Sequence, residues 1–250
     1  MKRLIFCGIL ILLLAAALRP RSEPVMGWGL SFQAEGQPPA APMTPERLRE
    51  LGAAYVDGDG GKVLYLTFDA GYENGFTGEM LDILKELEVP AAFFLTGDYL
   101  NREPDLVRRM TAEGHIVGNH TLHHPDMTAV DAEKFRAELQ GVEEQYFAIT
   151  GQTLPKYYRP PQGVYDENSL NMAQKLGYQT VFWSLAYADW DNDHQPDPAA
   201  AVEKLNRRIH DGAVVLLHAT SKTNAEILKP LLTGWMEMGY RFEPITELFR

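Results

Sequence analysis

Between Lys62 and the C-terminus, short apolar segments typical of β-strands alternate with longer amphipathic segments typical of α-helices. Parallel strands need long crossover connections, which helices usually provide, so this alternation predicts a parallel sheet covered by helices. An open doubly wound sheet also fits the pattern. About seven strands favour an α/β fold in one domain, a distorted (β/α) barrel of about seven parallel strands. The predicted strands are Val63–Thr67, Ala91–Leu95, Ile116–Asn119, Tyr157–Arg159, Thr180–Ser184, Ala213–Leu217 and Tyr240–Glu243.

Glycine follows most of the predicted helices, at the place where a residue in the left-handed conformation commonly ends a helix. These glycines support the division of the chain into strands and helices. The predicted helices are Thr77–Leu87, Pro104–Glu113, Asp131–Ile149, Glu167–Leu176, Pro198–Ile209 and Ala225–Met238.

The first predicted strand runs directly into Asp69, and Gly71 follows two residues later. A carboxylate at the end of a buried strand is rarely left without a partner. Asp69 either caps the helix that begins near Thr77 or takes part in chemistry, and this segment alone leaves both interpretations open.

Residues 1–22 have the pattern of a secretory signal peptide: Lys2 and Arg3, an apolar run from Leu4 to Leu18, and small residues near position 17. An uncleaved N-terminal anchor is the alternative, and it would be the chain's only membrane contact. The only cysteine of the chain, Cys7, lies within this segment. The mature protein is therefore expected to be secreted or extracytoplasmic, without disulfides or thiolate chemistry.

Residues 23–61 are interpreted as a proline-rich spacer with a short helix, Thr44–Leu51, so that the catalytic domain covers 62–250. The formal net charge of −11 makes the chain a poor nucleic-acid binder. Net charge would not attract it to anionic membranes or wall polymers either. A polymeric substrate would have to be recognised locally, in a cleft.

Polar residues with catalytic potential follow five of the predicted strands. In a parallel α/β barrel the carboxyl ends of the strands meet on one face, where active sites are built. We therefore expect these residues to converge, although they are spread over more than half of the chain. They are Asp69 after the first strand, His120 and His124 after the third, Arg159 after the fourth, Asp189 and Trp190 after the fifth, and His218 after the sixth.

The segment Asn119-His-Thr-Leu-His-His124 contains three imidazoles in five residues. His120 and His124 can reach one ion, and two imidazoles with a carboxylate and water form a common catalytic zinc site. The alternative is a surface cluster, or a core histidine bonded to the backbone. His123 is interpreted as a bystander or as a residue that supports a ligand.

Two further motifs suggest a base and an acid. Arg159-Pro-Pro-Gln-Gly163 places an arginine beside a stiff turn, where it can either clamp Asp69 or form a surface salt bridge. The buried strand before His218 brings that histidine to the same face. Asp189 can hold its tautomer and raise its pKa, as suits a general acid.

These motifs, in this order, resemble those of the polysaccharide deacetylase (NodB-homology) family, also called carbohydrate esterase family four. The resemblance spans about Lys62 to Arg250. It implies a distorted (β/α) barrel that hydrolyses N-acetyl groups of chitin or peptidoglycan, a linear amide bond, with a divalent metal such as zinc or manganese. Carried over by position, the implied roles are Asp69 as general base, His120 and His124 as metal ligands, Arg159 as the residue that orients Asp69, His218 as general acid and Asp189 as its partner.

Ala70 stands where the family usually has a second aspartate, the third metal ligand. With Gly-Trp-Gly near residue 28, this variant resembles the subgroup of delta-lactam-forming muramic acid deacetylases of spore peptidoglycan. The resemblance implies that N-acetylmuramic acid in peptidoglycan strands is deacetylated and that the product cyclises to muramic delta-lactam. The implied mechanism has Asp69 deprotonating a metal-held water, a backbone N–H near Gln162 stabilising the oxyanion, and Trp190 and Leu216 lining the acetyl pocket.

Three other functions are compatible with parts of the sequence. An N-acetylglucosamine deacetylase of peptidoglycan or chitin would use the same residues. A metal-independent amidohydrolase acting on a small cyclic amide would explain Ala70, but the signal-like segment argues against it. A catalytically inactive glycan-binding protein would not need both a base and an oriented acid.

Overall fold

The computed structural model describes residues 24–32, 34–59 and 61–250. The segment interpreted as a signal peptide or anchor, 1–22, lies outside the described residues. The strands are β1 Met26–Gly27, β2 Ala53–Ala54, β3 Val63–Ala70, β4 Ala91–Leu95, β5 Ile116–Asn119, β6 Tyr157–Tyr158, β7 Val164–Tyr165, β8 Gln179–Val181, β9 Ala213–His218 and β10 Arg241–Phe242. The helices are α1 Pro45–Glu50, α2 Thr77–Glu86, α3 Gly97–Arg102, α4 Pro104–Ala112, α5 Ala132–Thr150, α6 Glu167–Lys175, α7 Pro198–Arg208 and α8 Lys222–Glu237.

Eight of the described strands form one parallel sheet, in which β3 pairs with β4 on one edge and with β9 on the other. The order continues from β4 through β5, β6 and β8 to β2, while β10 lies beside the first half of β3. A parallel bridge between Leu185 and Val215 joins the end of β8 to β9, with the Leu216 N–H donating to the Leu185 carbonyl at 2.8 Å. The sheet therefore curls into a distorted barrel, and the predicted fold class is confirmed.

Every residue of β3 is buried, which explains why its sequence is almost continuously apolar. Leu64, Leu66 and Phe68 pack in the layer between the sheet and the helices. Val63 and Tyr65 belong to a second cluster with residues of neighbouring strands. Burial on both faces is the usual condition of a strand in a parallel sheet covered by helices.

The predicted strands and helices correspond closely to the observed ones. All seven predicted strands are present, and glycines with positive φ follow helices such as α4, α5 and α8, at Gly114, Gly151 and Gly239. The two-residue strand β2 and the one-and-a-half-turn helix α3 were not predicted, because segments so short carry no periodicity. No helix among the described residues is both long and apolar enough to span a membrane.

The segment 24–59 is not a detached spacer. Its strand β2 joins the main sheet beside β8, and β1 pairs antiparallel with β7. Trp28 is 7% exposed and stacks on Phe182 with ring centroids 4.1 Å apart. The folded unit therefore starts well before Lys62, since this part of the chain buries apolar surface against the barrel.

Candidate active site

A groove of about 870 Å³ opens at the carboxyl ends of the parallel strands. Seven of the nine residues that the sequence singled out line it, and the other two, Arg159 and Asp189, are buried directly behind it with exposures of 0% and 1%. The convergence expected from the strand ends is therefore present. The seven lining residues are Asp69, His120, His124, Gln162, Trp190, Leu216 and His218.

Asp69 is the second-last residue of β3 and is held by Arg159. The Nη1 of Arg159 donates to Asp69 Oδ1 at 2.7 Å, and its Nε donates to the Val181 carbonyl at 2.9 Å. The guanidinium also lies 4.2 Å above the Phe94 ring. Burial alone would raise the pKa of Asp69, but the charges of Arg159, His120 and His218 together with the Arg159 hydrogen bond outweigh burial and hold this pKa below its usual range. Asp69 is thus an oriented carboxylate, not a helix cap.

His120 follows β5 and has a defined tautomer. Its Nδ1 lies 2.8 Å from the Arg159 carbonyl oxygen, which can only accept, so Nδ1 carries the hydrogen and Nε2 has a free lone pair. This Nε2 is 3.8 Å from Asp69 Oδ2. Burial lowers the pKa of His120 to about 4, so the ring is neutral at neutral pH. Burial also lowers the pKa of His124, whose ring centroid is 4.9 Å from that of His120.

The loop that carries both imidazoles is anchored on helix α5 by Glu138, a fully buried carboxylate. Glu138 Oε2 accepts the backbone N–H of His123 at 2.8 Å, and Oε1 lies 3.0 Å from His123 Nδ1 and 2.7 Å from Lys134 Nζ. Thr121 and His124 both have left-handed backbone conformations, with φ of 69° and 57°. His123, interpreted as a bystander or support, therefore connects a tightly turned loop to α5.

His218 ends β9 and is paired with Asp189. Its Nδ1 donates to Asp189 Oδ1 at 2.7 Å, and its backbone N–H donates to Oδ2 at 2.8 Å. Asn224 Nδ2 donates to the same Oδ2 at 2.6 Å. Burial would lower the pKa of His218, but the hydrogen bond and charge of Asp189 outweigh it and raise this pKa. His218 lines the groove, and because its Nδ1 is bound to Asp189, its Nε2 is the nitrogen available to a substrate. This Nε2 carries a proton when the ring is charged.

The three residues assigned to substrate contacts differ in environment. Leu216 is 4% exposed on the groove wall, whereas Trp190 is 61% exposed at the rim, with its ring 6.2 Å from that of His218. Gln162 is exposed and has a φ of 57° within the turn that follows Arg159. That position lets the turn face the groove.

Two side chains of the groove have the chemistry of ligands for the divalent metal that the sequence implied. Two neutral imidazoles, one with its tautomer set by a backbone carbonyl, are suited to metal binding. Ala70, 1% exposed, supplies no donor. Across the described parts of the chain, no group of three or more His, Cys, Asp or Glu side chains is arranged to hold a metal. His120 and His124 therefore fit a site completed by ligands from outside the protein.

Sequence reasoning missed the residues that support the site. Glu138 and Asn224 belong to none of the motifs. Trp28 lies in the Gly-Trp-Gly motif, to which the sequence assigned no role at the site. Each lies far along the chain from the residue that it contacts. A polar residue at a buried helix position, as Glu138 is in α5, was the one available signal.

Comparison with known proteins identifies a consistent set of relatives. Residues 57–181 match the family model described as polysaccharide deacetylase. The peptidoglycan-N-acetylmuramic acid deacetylase PdaA of Bacillus subtilis is 40% identical over 97% of this chain and 93% of its own. A peptidoglycan-N-acetylglucosamine deacetylase of Bacillus cereus is 31% identical over 74% of this chain and 67% of its own.

Among solved structures, that of Bacillus subtilis PdaA, described as a family 4 carbohydrate esterase, superposes with a TM-score of 0.85. The match covers 90% of this chain and 96% of the other, at 41% identity.

Proposed function

The chain belongs to the polysaccharide deacetylase family, carbohydrate esterase family four, and from that membership we propose that it deacetylates N-acetylmuramic acid in peptidoglycan. It is a polysaccharide N-deacetylase, a hydrolase of linear amide bonds. The further steps of the proposal are cyclisation of the product to muramic delta-lactam and a place in spore cortex. The observation that carries the mechanism is the pair Asp69 and His218, which face one groove with pKa values shifted in opposite directions.

Asp69 is the proposed general base. Its ionised carboxylate is held through Oδ1 by Arg159, which leaves Oδ2 free to accept a proton. The attacking water gives that proton to Asp69 while its oxygen bonds to the acetamide carbonyl carbon.

His218 is the proposed general acid. Asp189 fixes Nδ1 as a donor and raises the pKa of His218, so between the lowered pKa of Asp69 and this raised pKa the carboxylate is ionised while the ring holds a proton on Nε2. When the C–N bond breaks, the electron pair goes to nitrogen, which takes the proton from Nε2. The products are acetate and the free amine of the sugar.

His120 and His124 would hold the divalent metal on which the family generally depends. When bound there, zinc, manganese or a similar ion supplies Lewis-acid polarisation of the amide carbonyl. A backbone N–H near Gln162 is the proposed second source of oxyanion stabilisation. Leu216 and Trp190 are the proposed walls of the acetyl pocket.

The relatives support the proposed substrate and location. Deacetylases of cell-wall peptidoglycan act outside the cytoplasm, so we place this protein on the wall side of the membrane, delivered by the segment 1–22. Its proposed partner is a peptidoglycan glycan strand. Cyclisation would join the freed amine of muramic acid to the lactyl carboxyl group of the same sugar.

The test uses purified protein and glycan strands that contain N-acetylmuramic acid, with and without stem peptides. Mass analysis of the digested products should show loss of acetyl groups from muramic acid and, after cyclisation, the mass of the lactam. Deacetylation confined to glucosamine would instead establish the main alternative, which the Bacillus cereus relative represents. Binding without acetate release would establish the inactive glycan-binding alternative.

A further inference from the structure

The N-terminal strap, residues 24–32, forms part of the groove wall although it lies outside the segment that matches the family model. Its Trp28 lines the groove but is only 7% exposed. The indole is therefore used mainly for contacts inside the protein. The Gly-Trp-Gly sequence around it is the one motif that the proposed mechanism does not use.

The strap is joined to the turn that follows Arg159. Met26 and Gly27 pair antiparallel with Tyr165 and Val164, directly after that turn. The backbone N–H of Trp28 donates to the Gly163 carbonyl at 2.8 Å. These contacts attach Trp28 to the segment that presents Gln162 to the groove.

The indole contacts the two residues that directly follow β8. It stacks on Phe182 with an interplanar angle of 14°, and its Nε1 donates to the Trp183 carbonyl at 2.9 Å. Gly163 has a φ of 66°, and a Cβ there would lie 2.9 Å from both the Trp28 Cβ and the Trp183 ring. The turn at Gly163, the strap at Trp28 and the segment after β8 at Trp183 are therefore in close van der Waals contact.

We infer that Trp28 is a positioning residue, which holds Gln162, Gly163 and Trp183 together as one wall of the groove. Its hydrogen bonds and ring contacts are with residues of this wall and the layer behind it, namely Gly163, Trp183, Tyr55, Tyr165 and Phe182. This inference rests on the proposed function for what the wall binds, namely the sugar ring next to the scissile acetamide. Because the same turn carries the oxyanion donor proposed near Gln162, loss of Trp28 should weaken substrate binding and also slow chemistry.

Kinetics of two variants test this role. In Trp28→Ala, KM should rise about 10-fold and kcat should fall about 3- to 10-fold, because the displaced turn carries both the groove wall and the proposed oxyanion donor near Gln162. Trp28→Phe keeps a ring against Phe182 and loses only the N–H bond, so it should recover most of the affinity. Metal affinity should equal that of wild type in both.

Trp235 offers a matched control. It is fully buried on α8, and its Nε1 donates to Asn206 Oδ1 at 2.8 Å, but it lies outside the groove. Trp235→Ala should lower Tm at least as much as Trp28→Ala and leave KM unchanged. An equal rise of KM in the control would mean that general loosening explains the result and would overturn the inference.

Hydrogen exchange tests the inference without activity. Amides of residues 162–165 and 182–185 should exchange about 10-fold faster in Trp28→Ala, while those of 119–124 stay as in wild type. Trp235→Ala should not affect these amides. Unchanged exchange in 162–165 would overturn the positioning role. If wild type releases acetate from no glycan, the proposed function fails, and exchange still decides the role of Trp28.

Discussion

His120 and His218 stand at the carboxyl ends of two strands of one sheet, and each has Nδ1 bound to an acceptor, yet their pKa values move apart. Burial lowers the pKa of His120 to about 4, and its Nδ1 donates to a neutral backbone carbonyl. His218 is buried too, but its Nδ1 donates to the carboxylate of Asp189, and its pKa is raised. The carboxylate partner of His218 Nδ1 is the main difference between the two rings, and it raises the pKa of His218 where burial lowers that of His120.

The two regions consequently suit different tasks. A neutral ring with a free Nε2 lone pair can bind a metal, whereas a protonated ring can supply a proton. The same difference has opposite consequences for stability. The neutral His120 favours the folded state less as pH falls below about 6.5, and the His218–Asp189 pair favours it less as pH rises through the raised pKa.

The largest effect is expected from removing each imidazole in turn. His218→Ala should lower turnover by about 10²- to 10⁴-fold, the range for loss of a general acid, and leave metal affinity unchanged. His120→Ala should lose bound metal and activity together, because one imidazole remains. Elemental analysis beside an acetate-release assay measures both. Equal metal loss in the two variants, or full activity of metal-stripped wild type, would contradict the division of roles.

Asp189→Asn should give His218 an uncharged Nδ1 partner, as His120 has. The amide removes the negative charge, so the pKa of His218 falls and the basic limb of the pH–rate profile moves to lower pH. Because the ion pair stabilises the fold below the raised pKa, the Tm deficit of this variant should be larger near about pH 6 than near about pH 9. A basic limb that stays in place would show that Asp189 does not set this pKa.

Ala70→Asp tests whether the His120 region can accept a third ligand. A carboxylate at this buried position, within the apolar cluster that contains Leu66 and Phe68, should cost about 3 kcal/mol or more in the absence of metal. A metal at His120 and His124 would neutralise the charge, so added zinc or manganese should raise Tm more in the variant than in wild type. Turnover should not rise, because the new charge lies next to Asp69. An equal metal-induced Tm rise would indicate that residue 70 does not face the ion.

Glu138→Gln should give the smallest effect, confined to the His120 region. The glutamine side chain has one acceptor oxygen and no charge. It therefore cannot keep both hydrogen bonds from His123 and the ion pair with Lys134. Metal affinity should fall about 10-fold, as expected for a residue that orients a ligand loop. Glu144→Gln, exposed on the same helix, is the control and should bind metal as wild type does. The pH–rate limb assigned to His218 should not move in either variant.

Much of the site could be predicted from local sequence. A residue directly after an apolar strand, such as Asp69 or His218, lies at the carboxyl end of that strand, and parallel strands bring those ends to one face. Trp28 and Glu138 could not be predicted in the same way. They act through contacts with segments far along the chain, and nothing in their own neighbourhood indicates the partner.

The sequence by itself determined the alternation of strands and helices, the family, and which residues stand at the strand ends beside the groove, because periodicity and strand ends are local properties of the chain. It also indicated that Asp189 raises the pKa of His218. Only the tertiary structure decided which nitrogen of each histidine faces the groove and that the pKa of His120 falls. Those properties depend on pairs separated by 29 residues for His218 and Asp189, 90 for Arg159 and Asp69, and 155 for Trp28 and Trp183. Burial and charge at such contacts exist only once the barrel has closed.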